Sequence, residues 1–254
     1  PGSLVPLNSI VRPKDDPNGY AVFVVEDRGG KAITSLRTVK LGDVVGNSIA
    51  RVKGTGGGPT LAVFGHIDEI GLTITHADEQ GNLAVRGLGG WNPQVLLGQR
   101  VEILARDGRV PGVVASKREP LGRRRGEDEK KRVEVEDLHI DIGARNAEDA
   151  WQVVRPGDPA VLSASPLELL NGRLASRALD DRLGAYIALE AARRVADAGG
   201  ASGDMVAVAT VEEEAGDFLG ARAAAFALEP AVAIAVDVTW ASDVPGGDPK
   251  DYGE

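Results

Sequence analysis

The chain of 254 residues contains no cysteine, which excludes disulfides and every thiolate metal site and leaves His, Asp and Glu as the possible ligands. Aromatic residues amount to only 4%, so Ala, Val, Leu and Ile must fill the interior. No run approaches the ~20 apolar residues a membrane helix needs, and no basic stretch followed by an apolar one marks a secretory signal. Those absences set the expectation of a cytoplasmic protein without a membrane partner. Basic residues are outnumbered 29 to 38, and the net charge of −9 argues against a nucleic-acid backbone as partner. The hydrophobic share of 43% is that of an ordinary globular chain, with core enough for one large domain or two modest ones.

What is present is organised around Thr60 to Gly71, Thr-Leu-Ala-Val-Phe-Gly-His-Ile-Asp-Glu-Ile-Gly. The apolar run Leu61 to Phe64 reads as a buried strand, and behind Gly65 come His66, Asp68 and Glu69. Groups that bind or react commonly sit where a strand of an open α/β sheet runs out. A His-x-Asp pair suits that position, because one imidazole nitrogen can take a metal while the carboxylate holds the ring or binds beside it. Two later apolar strands end in the same manner. Met205 to Val211 runs into Glu212-Glu213-Glu214, and Ala231 to Val236 runs into Asp237. A helix is expected between them, from about Asp217 to Leu228, and the strand–helix–strand order predicts a parallel arrangement with both acidic ends on one side. Upstream, Asp180-Asp181 opens an amphipathic helix in which Leu183, Tyr186, Ile187, Leu189, Ala191 and Val195 recur at helical spacing until Gly199-Gly200 closes it.

Elsewhere the pattern is β-rich. Residues 1–38 carry no persistent periodicity beyond a strand over Ala21 to Val25. Ser48 to Val52 and the run before His66 flank a glycine-rich loop, Gly54 to Pro59, and a hairpin is expected there. That loop precedes neither Lys-Ser/Thr nor a helix, so it reads as a plain loop and not a phosphate cradle. Between 72 and 164 short alternating segments follow one another, including a hairpin around Asp107-Gly108, a strand over Leu138 to Ile142 and a short helix from Ala147 to Val154. The mixed-charge stretch Arg118 to Arg132 reads as an exposed loop or frayed helix. His139-Ile140-Asp141 repeats the His-x-Asp spacing, yet alternation places Leu138, Ile140 and Ile142 on one face and His139 and Asp141 on the wet one, so it is expected to be a decoy. The fold class expected is α/β, with a mixed or parallel sheet built from residues 1–71 and 165–254 and interrupted by a small β domain over 72–164.

Each acidic feature has an ordinary explanation on its own. Asp180 or Asp181 can cap the helix, a role worth ~1 kcal/mol, the triple Glu can be a solvated charge run, and Asp237 a turn residue. Jointly they place carboxylates from two strands and a helix start beside the His-x-Asp of a third strand. Such a cluster repels itself and costs several kcal/mol to bury unless a cation sits within it. One His with several Asp and Glu best fits a divalent-metal site of the hydrolytic kind.

The stretches Asp43-x-x-Gly46-Asn47, Gly65-His66-Ile67-Asp68-Glu69-Ile70-Gly71, Ala178-Leu179-Asp180-Asp181-Arg182-x-Gly184, Val211-Glu212-Glu213-Glu214-Ala215-Gly216 and Val236-Asp237-Val238-Thr239 occur in that order. In this the chain resembles the M42 metallo-aminopeptidases, which include the tetrahedral dodecameric, deblocking and glutamyl aminopeptidases. The resemblance implies two divalent ions, zinc or cobalt, with His66 and Asp237 on one, Glu214 on the other and Asp180 bridging. It implies Glu213 as the general base acting on a metal-activated water, Asp68 as the carboxylate that orients His66, peptides as substrates, and a PDZ-like inserted β domain. It also implies a homo-oligomer, a dodecamer built of dimers in the family. If the Glu213-Glu214 segment is extended, the two side chains point to opposite sides, one to the metals and one to substrate. The family supplies a further His to the second ion, and this sequence has none beyond His139, so weakened binding at that site is expected. Two other readings compete: a non-catalytic or inactive assembly subunit, and an endoglucanase-type glycan hydrolase using a carboxylate pair without metal.

Overall fold

The computed structural model describes residues 10–11, 20–27, 32–39, 46–117, 132–245, 247 and 250. Asp43 of the first motif, nearly all of the Arg118 to Arg132 stretch and much of the first 38 residues lie outside the described set. In chain order the strands are β1 (Ile10–Val11), β2 (Tyr20–Asp27), β3 (Ala32–Val39), β4 (Ser48–Val52), β5 (Gly58–His66), β6 (Gly71–Ala77), β7 (Leu83–Leu88), β8 (Arg100–Ala105), β9 (Gly108–Ser116), β10 (Leu138–Asp141), β11 (Pro159–Leu162), β12 (Leu167–Glu168), β13 (Leu174–Ala175), β14 (Gly203–Thr210) and β15 (Val232–Ala235). The helices are α1 (Ala147–Trp151), α2 (Leu179–Asp197) and α3 (Leu219–Leu228). None among the described residues is long and apolar enough to cross a membrane. The chain divides into two compact units: Pro1–Phe64 with Ala188–Val211 and Phe218–Ala235, and Gly65–Ile187 with Glu212–Asp217 and Val236–Glu254.

The first unit holds an antiparallel β1-β2-β3 sheet and a four-stranded sheet in the order β15-β5-β14-β4. The strand read at Ala21 to Val25 is the centre of β2. In the four-stranded sheet β15 runs parallel to β5, whereas β14 is antiparallel to β4, so the sheet is mixed. Its core is built of Ala62, Phe64, Val206 and Val208 against Ala224 of α3, the small aliphatic packing that a shortage of aromatics imposes. Asn47 ties the exit of β14 to the entry of α3. Its Nδ2 donates to the Gly220 carbonyl at 2.7 Å, and its Oδ1 accepts from the Val211 N–H at 3.1 Å. A Cβ at Gly220 would lie 2.2 Å from the Val211 oxygen, which is why the helix enters on a glycine.

The expected β4–β5 hairpin does not form. β14 lies between the two strands and pairs with β4 in register, Ala207 opposite Ala50. The glycine loop folds along the chain entering β14 instead, with the N–H groups of Thr55, Gly56 and Gly58 donating to the carbonyls of Ala201 and Ser202. A side chain at Gly54 or Gly58 would meet the backbone of residues 202–204, so the glycines serve close approach and not a reversal.

In the second unit β6 to β11 close into a six-stranded barrel, order β10-β7-β6-β11-β8-β9, with every pairing antiparallel. Leu72, Ile74, Leu83, Ile103, Leu138 and Ile140 are fully buried in its core. The alternation over β10 holds: Leu138 and Ile140 point inward, His139 is half-buried and Asp141 is exposed. Asp141 spends its Oδ1 on the Gly143 N–H at 2.7 Å, a local turn, and the pair joins no potential metal-binding group among the described residues. The second unit also carries the start of α2, the turn after β14 and the segment after β15, which together with the end of β5 form the site described next.

Candidate metal centre

His66 is the last residue of β5 and its side chain is only 3% exposed. Gly65 precedes it because the strand runs against the helix start there: a Cβ on Gly65 would fall 2.2 Å from the Ala185 nitrogen. The ring is held from both sides. Nδ1 lies 3.2 Å from the Asp68 carbonyl oxygen and 3.4 Å from Asp68 Oδ1. Nε2 faces the carboxylates, 3.1 Å from Asp180 Oδ1 and 3.7 Å from Glu213 Oε2. Asp68 turns its other oxygen to the Glu214 N–H, 3.1 Å away, which joins the β5 exit to the turn carrying the glutamates.

The local backbone explains the convergence. Asp180 and Asp181 stand ahead of the regular part of α2 with non-helical angles, and are joined by a cis peptide bond. Ala178, two residues earlier, is left-handed at φ 60°, and Glu212 is left-handed at φ 59° just before the glutamate pair. Left-handed non-glycine residues cost energy and cluster where surrounding structure fixes a functional geometry. Glu213 and Glu214 open a wide helical turn, Glu213–Asp217, and are not in an extended segment. The two side chains therefore do not part to opposite sides: the turn brings both to the His66 side, Glu213 Oε2 at 3.7 Å from Nε2 and Glu214 in a donor group with His66 and Asp180.

Two triads have mutually close donor atoms, all within 4.8 Å of one another: His66, Asp180 and Glu214, and His66, Asp181 and Asp237. Donors of one zinc ion lie about 2.0–2.2 Å from it, so these separations need only small inward movements. Among the described residues no lysine or arginine pairs with Asp68, Asp180, Asp181, Glu213, Glu214 or Asp237, and Asp68 Oδ1 is buried without a hydrogen bond. The donor set, one imidazole and several carboxylates short of positive charge, fits a divalent cation. Electrostatics record the same shortage. Burial raises the carboxyls of Asp181, Glu213 and Glu214 above their ordinary range, and neighbouring acids push them further. Burial works to lower His66, but Asp68, Glu213, Asp181 and Asp180 outweigh it and its pKa is raised.

All six residues singled out from the sequence lie at this centre. His66, Asp180 and Glu214 form one triad, Asp237 belongs with His66 in the other, and Asp68 and Glu213 face the ring. Asp181 is the residue that sequence reasoning left as a helix cap. It has no exposed surface, and its oxygens accept from the His66 N–H at 3.1 Å and the Gly184 N–H at 3.0 Å. The second bond is indeed a cap; the first ties the cap to β5. A Cβ on Gly184 would lie 2.4 Å from Asp181 Oδ2, so the Asp-x-x-Gly spacing was the signal for a carboxylate turned inward. Glu69 was named with His66 and Asp68 at the strand's end, but not its partners: it is bound by Arg177 and, at 3.2 Å, by Arg182.

Residues 46–254 match the profile of the M42 glutamyl aminopeptidases. The chain is 36% identical over 213 residues to a lysyl aminopeptidase of Pyrococcus furiosus, an alignment covering 84% of this chain and 58% of that protein. Its structure resembles the TET aminopeptidase of Thaumarchaeota archaeon SCGC AB-539-E09 with a TM-score of 0.75 at 38% identity, over 82% of this chain and 57% of that one. It also resembles the Pyrococcus horikoshii TET1 peptidase, which can assemble into a tetrahedron or a large octahedral shell, with a TM-score of 0.68 at 34% identity, over 80% and 61% of the two chains. The chain thus spans less than two thirds of the length of these relatives. With the matched span reaching from Gly46 through every residue of the His66 centre, the chain belongs to the M42 glutamyl aminopeptidase family.

Proposed function

We propose that the protein is a metal-dependent aminopeptidase that hydrolyses N-terminal residues from peptides. The observation that carries this reading is the His66 centre, a buried imidazole whose Nε2 faces carboxylates of two other segments with no arginine or lysine among the described residues to balance them. His66, Asp180, Glu214 and Asp237 would hold the divalent cations, zinc or cobalt. A cation so held polarises a carbonyl and makes water acidic enough to attack near neutral pH. Membership of the M42 family, whose members use metal, supports this.

The remaining chemistry belongs to side chains. Glu213 is the general base: it takes a proton from the attacking water and passes it to the departing amine. In the metal-free cluster its carboxyl is raised by burial, opposed by His66, and raised further by Asp237, Asp68 and Asp180. Asp68 keeps Nδ1 of His66 occupied, so Nε2 points into the cluster. Asp181 fixes where β5 ends relative to Asp180.

The inserted-domain reading, with the PDZ-like character of 72–164 and a peptidase domain formed by 1–71 and 165–254, belongs to the same proposal. So do homo-oligomeric assembly, supported by the TET relative, and a cytoplasmic setting. The test is hydrolysis of alanyl and leucyl amides by protein supplied with Co²⁺ or Zn²⁺. Glu213→Gln is expected to lower kcat by at least about 100-fold while metal binding persists. Unimpaired turnover by Glu213→Gln, or turnover undiminished by chelator, contradicts the proposal.

A further inference from the structure

A cavity of about 450 Å³ opens directly on the carboxylate cluster, with Asp180 and Glu214 in its wall. The rest of its lining is of two kinds. Ile70, Trp91, Leu162 and Trp240 supply apolar surface, and Glu69 and Arg177 are its other charged groups. Trp91 is fixed in place by an indole N–H donated to the Gly71 carbonyl at 2.6 Å. The ring is therefore a set wall and not a mobile flap. Gly89 makes room beside it, since a Cβ there would meet Ile70 at 2.4 Å and Glu214 Oε2 at 3.3 Å.

The charge balance decides what this space accepts. Glu69 is only 14% exposed and is already bound by the guanidinium of Arg177 and by that of Arg182 at 3.2 Å. It has no unbalanced charge to offer a lysine or arginine side chain. Asp180 and Glu214 are taken up by the cation they are read to hold, and Arg177 is committed to Glu69, so an acidic side chain would have to break that pair. An uncharged apolar side chain meets Ile70, Trp91, Leu162 and Trp240 without disturbing either group.

We propose that this cavity receives the side chain of the peptide's N-terminal residue and selects an uncharged apolar one, with Trp91 as its wall and the Glu69–Arg177 pair as the element that rejects charge. The inference rests on the aminopeptidase reading of the His66 centre. If it holds, the preference is set by pairing and not by the mere presence of an acidic residue, and breaking the pair should re-set it. Arg177→Met would leave Glu69 with Arg182 alone, which is half exposed.

The test is a panel of aminoacyl amides of Ala, Leu, Phe, Lys and Glu with the metal-supplied protein. Leu and Phe should exceed Lys and Glu in kcat/KM by about tenfold or more. Trp91→Ala should cut kcat/KM for Leu and Phe by about tenfold, mainly through KM, and by more than it cuts that for the Ala amide. Arg177→Met should raise Lys relative to Leu by about tenfold. A second readout avoids turnover: calorimetric binding of leucinamide and lysinamide to Glu213→Gln should rank them in the same order, and Arg177→Met in that background should narrow the gap. Hydrolysis of Ala amide with Lys or Glu preferred, or a preference indifferent to Trp91 and Arg177, overturns this proposal alone. No hydrolysis of any amide with either metal overturns the aminopeptidase reading and this inference with it.

Discussion

Asp181 shows how much a single side chain can do without touching substrate. It is wholly buried and receives two backbone N–H groups from different elements. Removing an acceptor of that kind leaves buried donors unsatisfied, at ~1–3 kcal/mol each. Asp181→Ala is therefore expected to lower unfolding stability by about 3 kcal/mol, measured by denaturant titration of metal-free protein, whereas Glu213→Gln should not lower it. An Asp181→Ala protein as stable as the parent would deny that the carboxylate joins β5 to α2. At this scale the sequence was readable where a residue's type and its position after an apolar run both pointed one way, as for His66, Glu213, Glu214 and Asp237. It was not readable for Asp181, because two adjacent aspartates look alike until the non-helical backbone at 180 and 181 turns one inward. Nor was the Glu69–Arg177 pair, whose members lie 108 positions apart and meet only through the fold.

Among elements, the approach of the β5 end to the start of α2 is the most demanding. Gly65→Ala would put a Cβ 2.2 Å from the Ala185 nitrogen and 2.4 Å from the Gly184 carbonyl carbon, backbone atoms that cannot swing aside. The expected cost is about 3 kcal/mol, seen as a lowered Tm together with weakened metal binding, since His66 follows directly. Gly90→Ala has nothing within 4 Å of the added methyl, and is expected to be neutral within about 0.5 kcal/mol. Equal effects of the two substitutions would contradict the packing account. Elements themselves were largely legible: α2, α3, β14, β15 and the barrel strands follow the apolar periodicities that announced them. Partners were less so. Ser48 to Val52 looked like half of a hairpin because sequence-near strands usually pair, but a strand's pattern fixes its faces and not its neighbour. Its neighbour is β14, about 150 residues away, and only the run of glycines that lets residues 54–58 hug 201–203 hinted at it.

For the whole molecule, the cluster makes metal-free stability depend on pH in one direction. His66, Asp181, Glu213 and Glu214 all have folded-state pKa values raised above their ordinary values of 6.5, 3.8, 4.5 and 4.5. A raised group keeps more protons in the folded state than in the unfolded, so stability is greatest below its ordinary pKa and falls as pH climbs through the folded value. For the carboxyls the loss begins near pH 4; for His66 it begins above 6.5. The Tm of chelator-treated protein is expected to fall as pH rises from 5 to 8, and added divalent metal should offset the fall most at the upper end. A metal-free Tm that rises over that range would contradict the electrostatics. The net charge of −9 argues against a nucleic-acid partner, and the site shows part of where that negative charge is concentrated.

The most direct measurement is a calorimetric titration of metal-stripped protein with Co²⁺ at pH 7.5, run beside His66→Ala and Glu214→Gln. Saturable binding by the parent chain that is lost in His66→Ala and weakened in Glu214→Gln is the predicted result. Absence of binding by the parent, or the same affinity in all three proteins, would contradict the claim that these residues are gathered to hold a divalent ion.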